Sequence, residues 1–85
     1  MDELKIVFES RDEDTVFNEG RDTEMTWKEL RLDLAERIIN ITPALYEKGI
    51  RKVEVGSIGW FYLRKKTRGR VLTLNTMFVA RLLKR

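Results

Sequence analysis

The stretch KGIRKVEVGSIGWFYLRKKTRGR, residues 48–70, places the most apolar cluster of the chain directly beside its most cationic one. Residues 60–62 are Trp-Phe-Tyr, and five of the seven residues from 64 to 70 are lysine or arginine. Ahead of the aromatic cluster, Val53 and Val55 alternate with charged residues, which is typical of a strand with one buried face. The neighbouring segments indicate how the two clusters are connected.

Turn-forming residues divide this stretch into a predicted β-hairpin. The two glycines of GSIG, residues 56–59, permit a bend or bulge, so this segment is predicted to be a corner. The run WFYLR, residues 60–64, is rich in side chains that favour strands, and RVLTL, residues 70–74, predicts the returning strand. Between them, KKTRG predicts a tight turn in which Gly69 adopts a positive φ.

A long helix is predicted before this stretch. TWKE, residues 26–29, has the pattern of a capping box, in which the threonine and the glutamate satisfy each other's backbone amides. Apolar residues then recur at a spacing of three and four, which is typical of one buried helix face. They are Trp27, Leu30, Leu34, Ile38, Ile41 and Leu45, with Leu32 and Ile39 widening the face. Pro43 predicts a kink or a restart with Thr42 as N-cap, and Gly49 ends the element.

The two ends of the chain are assigned from weaker patterns. ELKIVFE, residues 3–9, alternates apolar and polar side chains and predicts a strand. A turn and a short return strand in residues 10–20 would complete an acidic hairpin, with a helix as the alternative. Asn75 can cap a final helix over residues 76–85, whose cations lie at the C-terminal end that the helix dipole favours.

The length of 85 residues predicts one domain, with an acidic segment, residues 1–24, and a body, residues 25–85. A chain this short buries about 60–65% of its unfolded surface, so a homodimer is expected to add stability. No apolar run reaches the roughly 18 residues of a membrane span, and the N-terminus is acidic rather than basic. We therefore expect a cytoplasmic protein.

Catalysis and metal binding are not expected. The chain has no cysteine and no histidine, which excludes disulfides, zinc thiolate sites and the usual general base. Ser57 lies in GSIG, which lacks the spacing of a nucleophile elbow, and has no histidine to activate it. The carboxylates within residues 12–14 and 19–22 lack the spacing of a calcium loop, so we expect neither cofactor nor metal.

Charge is distributed unevenly along the chain. Residues 1–36 hold 12 acidic and 5 basic residues, a formal charge of −7, whereas residues 37–85 hold 2 acidic and 12 basic residues, a formal charge of +10. Such a basic half is typical of proteins that bind a polyanion, although a solvated surface is the alternative. Residues 12–14 are acidic, and we expect them to lie near the basic hairpin and to compete there with phosphate.

From residue 26 to residue 70, these segments resemble the HU and integration host factor family of bacterial DNA-bending proteins. MTWKELRLDLAERIINITPALYEKG is similar to the long second helix of that family, and KVEVGSIGWF resembles its strand and its Gly-Phe-Gly-x-Phe corner. Arg64 stands where the basic arm of the family begins, and RGR, residues 68–70, resembles the ascending side of the arm. MFVARLLKR is loosely similar to the basic C-terminal helix. The resemblance covers a little over half of the chain.

The resemblance implies an α+β fold: a long helix, an antiparallel β-hairpin and a C-terminal helix, dimeric, preceded by an acidic hairpin or helix. The arm departs from the family, because Pro43 is the only proline and no proline wedge stands at the hairpin tip. Sharp kinking of DNA by intercalation is therefore not implied. The implied dimer interface comprises Ile58, Trp60, Phe61 and Leu45; the alternative places residues 60–62 in a monomer core.

The function that follows is a non-catalytic accessory protein, an HU-like dimer that binds duplex DNA with little sequence preference in the nucleoid or in a virion. The expected phosphate contacts are Arg64, Lys65, Lys66, Arg68 and Arg70, with Arg81, Lys84 and Arg85 as a second patch. The alternative function is a protein–protein interaction module, such as a virion or assembly component. The short arm and the acidic N-terminal segment favour this alternative.

Overall fold

The structure, a computed structural model, describes residues 3–18, 24–64, 70–75 and 77–84. In these ranges the chain forms a small α+β domain with a mixed four-stranded sheet, a two-stranded sheet and three helices. The elements are β1 (Lys5–Phe8), β2 (Val16–Asn18), β3 (Glu24–Thr26), α1 (Trp27–Asn40), α2 (Thr42–Glu47), β4 (Lys52–Ser57), α3 (Ile58–Arg64), β5 (Arg70–Thr73) and β6 (Phe78–Leu83).

The main sheet has the strand order β1-β4-β6-β5. β1 is parallel to β4, whereas β6 is antiparallel to both of its neighbours, β4 and β5. We call the end of the sheet where β4 begins the lower end, and the end where β4 terminates the upper end. β1 and β5 therefore also begin at the lower end, and β6 ends there.

One face of the sheet, which we call the α1 face, packs against α1. The register places Val53 opposite Leu82 and Val55 opposite Ala80, so these side chains point to the same face. The apolar face of α1 covers them with residues that are at most 1% exposed: Trp27, Leu30, Leu34 and Ile38. The Trp27 ring stacks on Phe78, with ring centroids 5.4 Å apart. The core of the domain therefore lies between α1 and the central strands.

The opposite face, which we call the α3 face, is covered by α3. Gly56 points to this face, and the indole ring of Trp60 lies directly over it, in the space that a Cβ would occupy. Phe61 packs edge-on against Trp60, with ring centroids 4.9 Å apart. Helix α3 begins where it does because Ser57 caps it: the Trp60 amide donates to Ser57 Oγ at 3.3 Å.

Buried Glu9 holds this cap in place. The Ser57 amide and hydroxyl both donate to Glu9 Oε1, at 2.9 and 2.8 Å, and the Arg11 guanidinium pairs with the other carboxylate oxygen. Because Glu9 directly follows β1, the contact ties β1 to the start of α3 at the upper end of the sheet. Ser57, expected to be a turn residue, is thus the N-cap of a helix.

Several local predictions are confirmed. Thr26 and Glu29 form the capping box, and the backbone amide of Thr26 lowers the pKa of the Glu29 carboxyl by donating to it at 3.0 Å. Pro43 lies in the first turn of α2, although Ile41 rather than Thr42 is the N-cap. Gly49 has a φ of 82°, a conformation that favours glycine, where the chain leaves α2.

The predicted N-terminal hairpin is wrong in its pairing. Residues 5–8 and 16–18 are strands, but β1 pairs with β4, and β2 pairs with β3. The reason is Phe17, whose ring packs against Trp27 and Phe78 at centroid distances of 5.8 and 5.3 Å. The small β2–β3 sheet therefore closes the core beside α1.

Two further predictions are wrong, so the expected hairpin followed by a C-terminal helix is not formed. Residues 58–64 form α3 instead of a strand, and residues 78–83 form β6 instead of a helix. Strand β6 is covered on both faces of the sheet, so its apolar residues form an almost continuous run instead of alternating with polar ones. Such a run is easily mistaken for a helix. Asn75 is a cap, but for the turn into β6: its Oδ1 accepts from the Met77 and Phe78 amides, both at 2.8 Å.

The helix prediction also overestimated the apolar face. Leu32 is 68% exposed and Ile39 is 59% exposed, because both lie outside the stripe that faces the sheet. No helix in the described ranges is long and apolar enough to cross a membrane.

A glycine pair tests the packing of α3. Gly56→Ala would push a methyl group into the Trp60 indole, so we expect the free energy of unfolding to fall by about 1–3 kcal/mol. Gly59→Ala is the matched control: its methyl group would meet no atom within 4 Å, and alanine favours the helix. Urea unfolding followed by tryptophan fluorescence measures both. Equal midpoints for the two variants would contradict the position of Trp60.

Candidate nucleic-acid interface

A groove of about 830 Å³ lies on the α1 face, between α2 and the β5–β6 pair. One wall is the face of α2, whose lining residues Ile41, Ala44, Leu45 and Lys48 recur at helical spacing. Leu82 and Ile50 line the groove between the walls. The other wall is β5, on which Arg70 and Leu72 are two residues apart and therefore share a face.

The cations of this groove gather at the lower end of the sheet. Arg70 is the first residue of β5 and pairs with Leu82, and Lys84 follows the last residue of β6. Lys48 caps the C-terminal end of α2, three residues before Arg51, whose amide donates to Leu83 at 2.9 Å. The described residues that line the groove include no aspartate or glutamate. The groove therefore has an apolar interior and a cationic rim.

The carboxylates of residues 12–14 lie at the upper end. Residues 10–14 follow β1, and the amides of Trp27 and Lys28 donate to the carbonyls of Thr15 and Glu13, at the start of α1. Glu13 also pairs with Arg31 at 2.9 Å. The six residues of β4 span roughly 20 Å between the two ends.

This separation contradicts the expected shielding of the basic face, as far as it concerns Arg70 and Lys84. The carboxylates of residues 12–14 belong to the opposite end of the sheet from both cations. The carboxylates of residues 12–14 are therefore separated in space from these two rim cations.

The predicted phosphate-binding residues are only partly described. Arg70 and Lys84 are exposed at the groove rim, and Arg64 is the last residue of α3. Three hairpin cations and the C-terminal arginine lie outside the described residues; they are Lys65, Lys66, Arg68 and Arg85. The structure therefore brings together two of the predicted cations and adds Lys48, which the prediction omitted.

Arg81 does not belong to this surface. It is 4% exposed, and its guanidinium pairs with Glu54 of the neighbouring strand, which is 5% exposed. The ring of Phe61 lies 5.9 Å from the guanidinium carbon, so α3 covers the pair. Its Nε has no hydrogen-bond partner among the described residues. The prediction of Arg81 as a phosphate contact is corrected, because the cross-strand register directs it to the α3 face.

The structure places the residues of the predicted dimer interface in different environments. Leu45 is 4% exposed and belongs to the core of its own chain, because α2 turns it toward the sheet. Trp60 and Phe61 are half-buried against their own sheet, which agrees with the alternative of a monomer core for this cluster. Ile58 remains 41% exposed at the first position of α3.

Sequence reasoning missed Lys48 and the groove itself. The signal was present, because Lys48 continues the helical spacing of Ile41 and Leu45 across α2. Identifying a groove additionally required the position of β5, which depends on pairing with β6. Among the described residues, no three acidic side chains are close enough to hold a metal ion.

The buried ion pair can be tested by a double-mutant cycle. Arg81→Met would remove the Arg81 guanidinium from the buried Glu54 carboxylate, which keeps Lys52 Nζ at 3.9 Å, so we expect a loss of up to about 3–5 kcal/mol in the free energy of unfolding. The combined variant Glu54→Leu with Arg81→Met removes both charges and is expected to recover most of this loss. Urea unfolding of all four proteins gives the coupling. Additive effects of the two substitutions would contradict the pair.

Comparison with known proteins gives no relative for this arrangement: no protein-family model, no curated protein and no solved structure matches the chain.

Proposed function

We propose that this protein is a non-catalytic accessory protein that binds duplex DNA through phosphate contacts at the lower end of its sheet. The observation that carries the proposal is the convergence of Lys48, Arg70 and Lys84 on one rim, with residues 12–14 at the opposite end. Lysine and arginine are the usual contacts to phosphate, and their attraction reaches beyond the contact surface. Arg70 is also the last residue of the cation-rich run of residues 64–70 in the sequence.

Binding with little sequence preference follows from the type of contact. Discrimination between bases requires paired hydrogen bonds to base edges, commonly from arginine. Two of the three described rim cations, Lys48 and Lys84, are lysines, which act on phosphate as point charges. The resemblance to the HU and integration host factor family supports the same proposal, with the nucleoid or a virion as the place of action.

The apolar interior of the groove favours a second candidate function. Phosphates need only the rim, whereas Leu72, Leu82 and Ile50 offer apolar surface that DNA backbone does not use. A protein-interaction module, such as a virion or assembly component, would use both the rim and the interior.

The DNA proposal is tested by mobility shift of a 20-base-pair duplex at several salt concentrations. Neutralisation of roughly 4–6 phosphates per dimer predicts a slope of log K against log salt of about −4 to −5. Arg70→Ala with Lys84→Ala should weaken binding to all duplexes alike and reduce the steepness of the slope by about one to two units.

The matched control is Lys28→Ala with Arg31→Ala, which removes the same charge at the start of α1, at the upper end. It should retain wild-type binding. Equal loss in both double variants would show attraction by net charge alone, and no shift at low salt would favour the interaction module.

We also propose a homodimer, supported by the small core and by two exposed apolar residues on the α3 side of the domain, Ile58 and Val71, which is 61% exposed. Light scattering at micromolar concentration should give twice the 10.1 kDa chain mass, and Ile58→Lys should shift it toward the monomer. A monomer mass for the unmodified protein would contradict the dimer.

A further inference from the structure

The helix layer on the α1 face is narrower than the sheet beneath it. Neighbouring strands lie about 4.8 Å apart and packed helices about 8–10 Å apart, so four strands need two helices side by side. α1 covers the central strands, whereas α2 has only six residues. Leu72 on β5 and Ile41 at the start of α2 are each left 36% exposed. The groove therefore leaves apolar side chains of α2 and of β5 partly uncovered.

The groove has a volume of about 830 Å³. Its apolar residues lie on both walls and between them, as the apolar stripe of an amphipathic helix requires.

The charges that line the groove indicate which kind of helix would bind there. The described lining carries three cations and no carboxylate, and all three cations lie at the lower end. An occupant with acidic side chains at one end would pair with Lys48, Arg70 and Lys84. The C-terminal end of a helix carries partial negative charge, so it would be favoured at the same place.

We propose that the groove binds an acidic amphipathic helix of a partner protein, with its apolar stripe between α2 and β5 and its acidic C-terminal turn at the lower end. This deepens the second candidate function and does not depend on DNA binding. Helix and DNA would compete for the rim, but only the helix needs the interior.

The test uses a fluorescein-labelled 14-residue peptide with leucines at positions i, i+3, i+4 and i+7 and glutamates in its last turn. Polarisation titration is expected to give a dissociation constant on the order of 10 μM, weak because the peptide must fold on binding. The same peptide with glutamine in place of each glutamate should bind at least tenfold more weakly. Equal binding of both peptides, or none up to about 1 mM, would overturn the proposal.

A variant pair separates the groove interior from the rim. Ala44→Arg places a long side chain in the groove while adding a positive charge. It should weaken binding of the acidic peptide at least tenfold and leave the affinity for duplex DNA unchanged or higher. Leu32→Arg adds the same charge on the exposed side of α1, at a residue that is 68% exposed and does not line the groove, and should leave peptide binding intact.

The two proposals fail separately in this design. If Ala44→Arg does not weaken peptide binding but the DNA mobility shift is still seen, the helix-binding proposal alone is overturned. A missing DNA shift with intact, Ala44-dependent peptide binding overturns the DNA proposal alone. Displacement of the peptide by DNA from the wild-type protein, with the groove variant unaffected in DNA binding, supports both.

Discussion

Glu54 and Arg81 face each other across the two central strands, and their burial dictates what must lie on the α3 face. Removing two charges from water costs several kcal/mol per ion, which close pairing and additional hydrogen bonds offset. Helix α3 covers the pair, with Trp60 over Gly56 and Phe61 beside the Arg81 guanidinium. β4 ends at the upper end and β5 begins at the lower end, so Arg70, the last cation of the run, lies at the rim of the groove.

The position of α3 accounts for the most apolar cluster of the chain. Phe61 lies beside the Arg81 guanidinium and Trp60 over Gly56, and the cationic run follows them in the sequence. Residues 10–15 are held at the upper end by Glu9 and by the start of α1. A domain polarised in this way attracts and orients an anionic partner before contact, and salt weakens that attraction. DNA and an acidic helix would both approach the same end.

The sequence predicted correctly those features that depend on a few neighbouring residues. The capping box of Thr26 and Glu29, the positive φ of Gly49 and the alternation in β4 each depend on a few neighbouring residues. The wrong assignments are those that distant pairing decides. Residues 60–64 favour a strand by composition, but they form a helix in which Trp60 covers Gly56 and Phe61 lies beside Arg81. Arg81 has the same side chain as the surface arginines, and only its register opposite Glu54 buries it.

The candidate site, too, could be predicted from the sequence only in part. The sequence identifies Arg70 and Lys84 as candidate phosphate contacts by the clustering of cations in residues 64–70 and 81–85. A groove depends in addition on where β5 lies relative to α2. All four residues of β5 are exposed, and within the described chain this strand pairs with β6 alone. A ligand that covers Leu72 and pairs with Arg70 would therefore contribute stability where the sheet is least supported. Binding to the folded state alone raises the free energy of unfolding by mass action, so the edge that leaves the groove open is also the element that an occupant would order most.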